Sequence, residues 1–171
     1  MKKVAVFGKP GSGKSTVSKA LATAIGLPLH QLDSIVYKPN GEFIAREEFD
    51  IVHNDILRSE SWVIDGLGPI SSFNERLAVA DTLIYIDLPY SVSYWFVTKR
   101  FLKGLFVKPE GWPDGSSILK GTVNSYKTLK LCPKFWNDDF TSTVMGYSSS
   151  KEVYIIKTVS ELNDFALAQT K

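Results

Sequence analysis

The chain has a single cysteine, Cys132, in 171 residues. One thiol excludes an intramolecular disulfide and a cysteine-rich metal site, which leaves Cys132 as a small, partly buried hydrophobe. Histidine is almost as scarce. His30 lies in a strand-like run and His53 on the apolar side of a helical pattern, so both read as packing residues, and no His/Cys metal spacing exists. Only four of the 20 cationic residues are arginine: Arg46, Arg58, Arg76 and Arg100. The net charge of +2 provides no basic surface of the kind nucleic acid requires. No apolar run is long enough to span a bilayer, so no membrane partner is expected. The run Val4-Ala5-Val6-Phe7 is too short for a signal-peptide core, and these absences together point to the cytoplasm. Composition is otherwise ordinary, 44% apolar and 22% charged, as expected of one domain over residues 1–171.

Against these absences stands one complete motif. Gly8-Lys9-Pro10-Gly11-Ser12-Gly13-Lys14-Ser15 satisfies G-x-x-x-x-G-K-[ST], the phosphate-binding P-loop, with Thr16 directly after it. Its glycines let backbone N–H groups curl around phosphate oxygens without an intervening Cβ. Lys14 is placed to reach the β- and γ-phosphates, and the Ser15 hydroxyl to ligate Mg²⁺. The context fits as well. A short apolar run precedes the loop. After it, Val17, Ala20, Leu21, Ala24 and Ile25 recur at helical spacing, with Gly26 as a C-cap. Strand, loop and helix in that order put a helix N-terminus under a polyphosphate.

Five apolar segments read as strands: 3–7, 29–32, 62–65, 82–87 and 153–157. Helical patterns at 47–58, 91–103 and 160–169 lie among them, so the spacing predicts βαβ crossovers and a mostly parallel sheet covered on both faces. Residues 104–134 break the pattern. With Pro109, Gly111, Pro113, Gly115, Gly121 and scattered lysines, they read as an inserted, mobile, lid-like excursion rather than a second domain.

Three aspartates, Asp33, Asp65 and Asp87, close the second, third and fourth predicted strands. Ligands in open α/β sheets bind beyond the carboxyl ends of the strands. One carboxylate should therefore support Mg²⁺, directly or through water. Asp65 is the first choice, because an apolar run precedes it and Gly66 follows. Asp33 is the second choice, and it could instead orient or deprotonate an acceptor hydroxyl. Asp87, followed by Leu88 and Pro89, reads mainly as the end of a strand.

The P-loop, Leu32-Asp33, Trp62-Val63-Ile64-Asp65-Gly66, Glu75-Arg76, Ala80-Asp81 and Lys99-Arg100 occur in an order that resembles the adenylate kinase-like P-loop NTPases. The closest likeness is to the branch known as DNA topology modulation proteins (FlaR-like). The resemblance implies a three-layer α/β fold with a five-stranded parallel sheet of order 2-3-1-4-5. It also implies an acceptor region after strand two, a lid after the Lys99-Arg100 helix, and an adenine pocket at Lys157 and Thr158. The chain departs from the nucleoside monophosphate kinases of this group at two places. Asp65-Gly66-Leu67-Gly68-Pro69 lacks their phosphate-gripping arginine, and Phe96 stands where a second arginine often precedes Arg100. Lysines such as Lys103, Lys108 and Lys120 stand in the presumed lid, and lysine does not grip phosphate bidentately as arginine does. A hydroxyl acceptor needs fewer such partners.

The leading expectation is therefore an ATP- and Mg²⁺-dependent kinase that moves the γ-phosphoryl group to a nucleoside, nucleotide or other small hydroxyl compound. In it, Lys14 organises the phosphates, Arg100 stabilises the transferring group and Asp33 positions the acceptor. Arg76 is a lesser candidate for reaching the acceptor, and Trp112 and Trp136 for lining its cleft. The alternative is a nucleotide-operated switch or regulatory ATPase without a small acceptor. Asp65-Gly66-Leu67-Gly68 matches a short D-x-x-G, but the guanine-reading N/T-K-x-D is absent.

Overall fold

The computed structural model describes residues 1–36, 42, 44–106 and 118–168. Its centre is a five-stranded sheet of β1 (Lys3–Gly8), β2 (Leu29–Gln31), β3 (Trp62–Asp65), β4 (Thr82–Ile86) and β5 (Glu152–Ile156). All neighbours are parallel, in the order β2-β3-β1-β4-β5. This is the order the resemblance implied, and each strand falls within a residue of its expected place. Eight α-helices are described: α1 (Lys14–Ile25), α2 (Leu32–Val36), α3 (Arg46–Arg58), α4 (Ile70–Val79), α5 (Tyr90–Gly104), α6 (Ile118–Leu131), α7 (Asp138–Gly146) and α8 (Val159–Ala168).

The strands are continuously apolar because both faces of the sheet are covered. Successive side chains of β1 point to opposite faces. Val4 and Val6 pack with Val17 and Leu21 of α1 and Leu162 of α8. Ala5 and Phe7 face the other layer, with Phe49 of α3, Phe73 and Leu77 of α4, Val97 of α5, Leu129 of α6 and Val144 of α7. There Phe7 and Tyr85 stack on Trp136, with ring centroids 6.3 and 5.4 Å from its own. Trp136 is thus a core residue rather than a cleft residue, and Trp112 lies outside the described residues.

Three local features differ from the sequence expectation. Leu32 and Asp33 do not extend β2. They open α2, so Asp33 occupies a first helical turn. Residues 118–131, expected within the excursion, form α6. Its Thr122 and Leu129 are buried, and the hydroxyls of Tyr126 and Thr98 are 2.6 Å apart across the contact with α5. The third is α7, capped by Asn137, whose side chain accepts from the Phe140 amide at 2.9 Å. Lys151 ties the chain back by donating to the Ala78 and Ala80 carbonyls, both at 2.6 Å, at the end of α4.

Candidate phosphate-binding and acceptor site

The loop between β1 and α1 is held by close backbone packing. Gly8 has φ +153°, and a Cβ there would stand 2.4 Å from the Ile86 carbonyl oxygen of β4. Only glycine lets the loop begin this close to the neighbouring strand. The Ser12 amide donates to the Lys9 carbonyl at 3.2 Å and closes the turn. Around the loop, Pro10 and Gly11 are half-buried and Ser12 is buried with no partner for its Oγ. Gly13 precedes α1, whose first turn has no side-chain cap and no acidic residue. Its N–H groups and the helix field therefore favour an anion. Lys14 is half-buried, and Ser15 and Thr16 are exposed beside it.

Asp65 ends β3 against this loop. It is 4% exposed, and its Oδ1 has no hydrogen-bond partner. Burial pushes its carboxyl above the usual carboxylate range, and nearby Asp33 pushes the same way; the Lys14 charge and hydrogen bonds from Ser15 and Gln31 oppose the rise. An orphaned buried oxygen beside a serine hydroxyl and a lysine is a fitting place for a cation. Gly66, at φ +121°, turns the chain where a Cβ would come 3.2 Å from the Leu32 Cβ. Among the described residues no group of three or more His, Cys, Asp or Glu comes together. Mg²⁺ in phosphoryl-transfer sites needs only one or two protein oxygens alongside the substrate phosphates.

Asp33 is exposed and lines a cleft of about 400 Å³ with Val36, Ile44, Arg46, Phe49 and Pro69. Its position joins the cleft to the Lys14–Asp65 pair, since its charge acts on Asp65. It also acts on Arg100, whose pKa burial lowers while the Asp33 charge opposes the shift. Arg100, on α5, donates from Nη2 to Ser125 Oγ of α6 at 3.0 Å. Lys14, Asp33, Asp65 and Arg100 are thus gathered at one edge of the sheet. Lys103 and Lys120 are exposed at the ends of α5 and α6, and Lys108 lies outside the described residues.

Lys157 and Thr158 join β5 to α8. Both of their amides donate to the Glu161 carboxylate, at 2.7 and 3.3 Å, and Thr158 Oγ1 accepts from the Glu161 amide at 3.1 Å. This is a reciprocal capping box. The helix that follows, α8, lies beside the phosphate loop, because a Cβ on Gly13 would come 2.9 Å from Leu162 Cδ2.

Polar groups back the cleft, buried at Arg76 and His53 and exposed at Arg46, and sequence reasoning missed them. Burial lowers the pKa of Arg76 to about 10, and the Asp65 charge opposes that shift. Arg76 is 1% exposed, donates from Nη2 to the Leu67 carbonyl at 2.6 Å, and lies 5.2 Å from the Phe73 ring centroid. His53 is buried, with neither ring nitrogen partnered, and stacks on the cleft-wall Phe49 at 5.5 Å. Arg46 donates to Asp50 at 2.7 Å and to Ser71 and Ser72 at 2.6 and 3.0 Å. The Arg46–Asp50 spacing of i,i+4 was the one readable signal. Within the loop, the buried Lys9 ammonium pairs with Asp87. Asp87 is thus more than a strand end.

No protein-family model matches the chain. The chain is similar to the shikimate kinases of Mycobacterium bovis (31% identity) and Mycobacterium ulcerans (30%), in each case over 99 residues and 50% of this chain. The match spans only 56% and 54% of those relatives. Among solved structures, a shikimate kinase from Acinetobacter baumannii in complex with shikimate superposes with TM-score 0.61 at 17% identity, covering 98% of this chain and 90% of that one. A gluconokinase from Sinorhizobium meliloti gives TM-score 0.50 at 17% identity, covering 99% and 91%. The fold is that of the superposed shikimate kinase and gluconokinase structures.

Proposed function

We propose that the chain is an ATP-dependent phosphotransferase that moves the γ-phosphoryl group to a hydroxyl of a small molecule. One observation carries the reading: an uncapped helix N-terminus under a P-loop, with the orphaned Asp65 oxygen beside Lys14 and Ser15, opens through Asp33 into a separate cleft. A switch protein has no need of that second cleft. The likeness to shikimate kinases and a gluconokinase, both named for small hydroxyl compounds, supports the same reaction class.

In this reading Gly8, Pro10, Gly11, Ser12, Gly13, Lys14, Ser15 and Thr16 surround the phosphates, and Lys157 and Thr158 border the base. Ser15 and Asp65 would hold Mg²⁺, which when bound neutralises charge on the β- and γ-oxygens. Lys14 draws the transferring group into line. Asp33 orients the acceptor hydroxyl and takes its proton as the new phosphoester bond forms and ADP leaves. Arg100 stabilises charge on the equatorial oxygens of a loose transition state. The lid-like reading of residues 104–134 rests on the family resemblance, and within that segment the contact from Arg100 to Ser125 fastens α6 to α5. The order of Leu32-Asp33, Glu75-Arg76 and Lys99-Arg100 supports placement in the FlaR-like branch, and the lack of a long apolar helix among the described residues is compatible with the cytoplasm.

The test is an acceptor screen. ATP turnover is measured against nucleosides, nucleotides, shikimate, gluconate and other small hydroxyl compounds, with Lys14→Ala as control. Acceptor-stimulated ADP release that is lost in Lys14→Ala is expected. Slow, acceptor-independent hydrolysis across the panel would point to the switch instead.

A further inference from the structure

The phosphate loop carries two lysines, and the structure gives them different surroundings. Lys14 sits half-buried at the start of α1, with Ser15 and Thr16 exposed beside it. Lys9 is 2% exposed, and its ammonium is enclosed by the Asp87 carboxylate and the face of Tyr90, 4.8 Å from the ring centroid. A lysine is almost never buried unless paired, and this pair joins the loop to the end of β4.

Both partners are held from the backbone. Gly8 is pressed against the Ile86 carbonyl, and the Lys9 carbonyl accepts the Ser12 amide. Asp87 follows Ile86, and its amide donates to the Ile156 carbonyl at 2.8 Å. Its carboxylate therefore cannot move far from the loop. Without Lys9, a negative charge would stand one strand from the place where a polyphosphate must bind. That charge would repel the ligand through a poorly screened, protein-filled path.

We propose that Lys9 is a positioning residue for nucleotide binding, which neutralises Asp87 and anchors the start of the P-loop without itself touching the phosphates. The proposal rests on the reading of this loop as an ATP site. Two unit charges about 10 Å apart at an effective dielectric near 20 change a binding constant by about ten-fold. Lys9→Met should therefore weaken binding of a non-hydrolysable ATP analogue with Mg²⁺ by about ten-fold. Asp87→Asn should remove the need for Lys9.

The experiment is calorimetric titration of that analogue into wild type, Lys9→Met, Asp87→Asn and the double variant, with thermal melts to confirm folding. The double variant, in which neither charge remains, is expected to bind within about three-fold of wild type, since the paired charges of wild type also sum to zero. If it binds more weakly than that, Lys9 contacts the nucleotide directly and the proposal falls. That comparison holds even if Lys9→Met, with an unpaired half-buried carboxylate, fails to fold. A Lys9→Met variant that folds and binds like wild type also overturns the proposal. Wild type that binds no analogue would overturn the ATP-site reading and this inference with it, whereas wild-type binding with either result above overturns the inference alone.

Discussion

His53 provides the most direct test of the polar layer behind the cleft. It is 1% exposed, stacked on Phe49 and flanked by Arg76, Arg46 and Asp50. Burial lowers its pKa from 6.5 to about 4; the two arginines push the same way and Asp50 opposes them. The folded chain therefore binds fewer protons than the unfolded chain between those values. Stability from this group is fully present above pH 6.5 and is lost as the pH falls toward 4. With these two pKa values, linkage gives a loss of about 2 kcal/mol between pH 7 and pH 5. Against a typical domain stability of roughly 5–15 kcal/mol, that is a measurable fraction. Urea denaturation followed by tryptophan fluorescence at the two pH values should show the loss in wild type. His53→Phe should show a loss smaller by that amount. His30, whose pKa burial also lowers, contributes equally to both chains and cancels in the difference. If wild type and His53→Phe lose the same stability between pH 7 and pH 5, His53 is not held neutral by its surroundings, and the account of the layer behind Phe49 is wrong.

Asp65→Asn should reduce the Mg²⁺ dependence of turnover much more than Asp87→Asn; a reversed order in a metal titration would move the metal to the other strand. Arg76→Met leaves the Leu67 carbonyl without its donor and should lower stability by about 1–2 kcal/mol, read from the urea midpoint. An unchanged midpoint would mean that this hydrogen bond adds nothing net. In hydrogen exchange, α6 should be as protected as α5 without any ligand, because Leu129 is fully buried and Tyr126 meets Thr98. Exchange as fast as that of an unstructured peptide would show that α6 detaches from α5.

The fold was legible because its signals are local. The apolar runs of β1, β3 and β4 needed no tertiary information to read as buried parallel strands, and the P-loop pinned the first βα unit. The sheet order came through the resemblance rather than through periodicity. α6 was obscured by its own composition. Gly121 and its lysines resemble loop residues, and its buried positions include Thr122, a polar residue that satisfies itself by donating to the Ile118 carbonyl at 2.8 Å. The start of α2 was missed for a related reason. Leu32 is as apolar as the strand before it, and what ends β2 is the backbone turning to pack Leu32 against Gly66.

The candidate site was legible only where one residue type has one job. Lys14 and Ser15 follow from their places in the motif, and Asp65 from ending an apolar strand. Lys9 occupies a variable position of the same motif, so nothing in its identity tells it apart from a solvated lysine. Its role depends on β1 and β4 lying side by side with Gly8 opposite Ile86. That register brings a residue 78 positions away to its ammonium. Arg76 shows the same dependence in reverse. Its spacing suggested a group reaching for the acceptor, yet the turn at Gly66 and Gly68 presents the Leu67 carbonyl to it and its side chain is buried. For both residues, long-range packing decides what the cation pairs with, and sequence spacing carries no record of that choice.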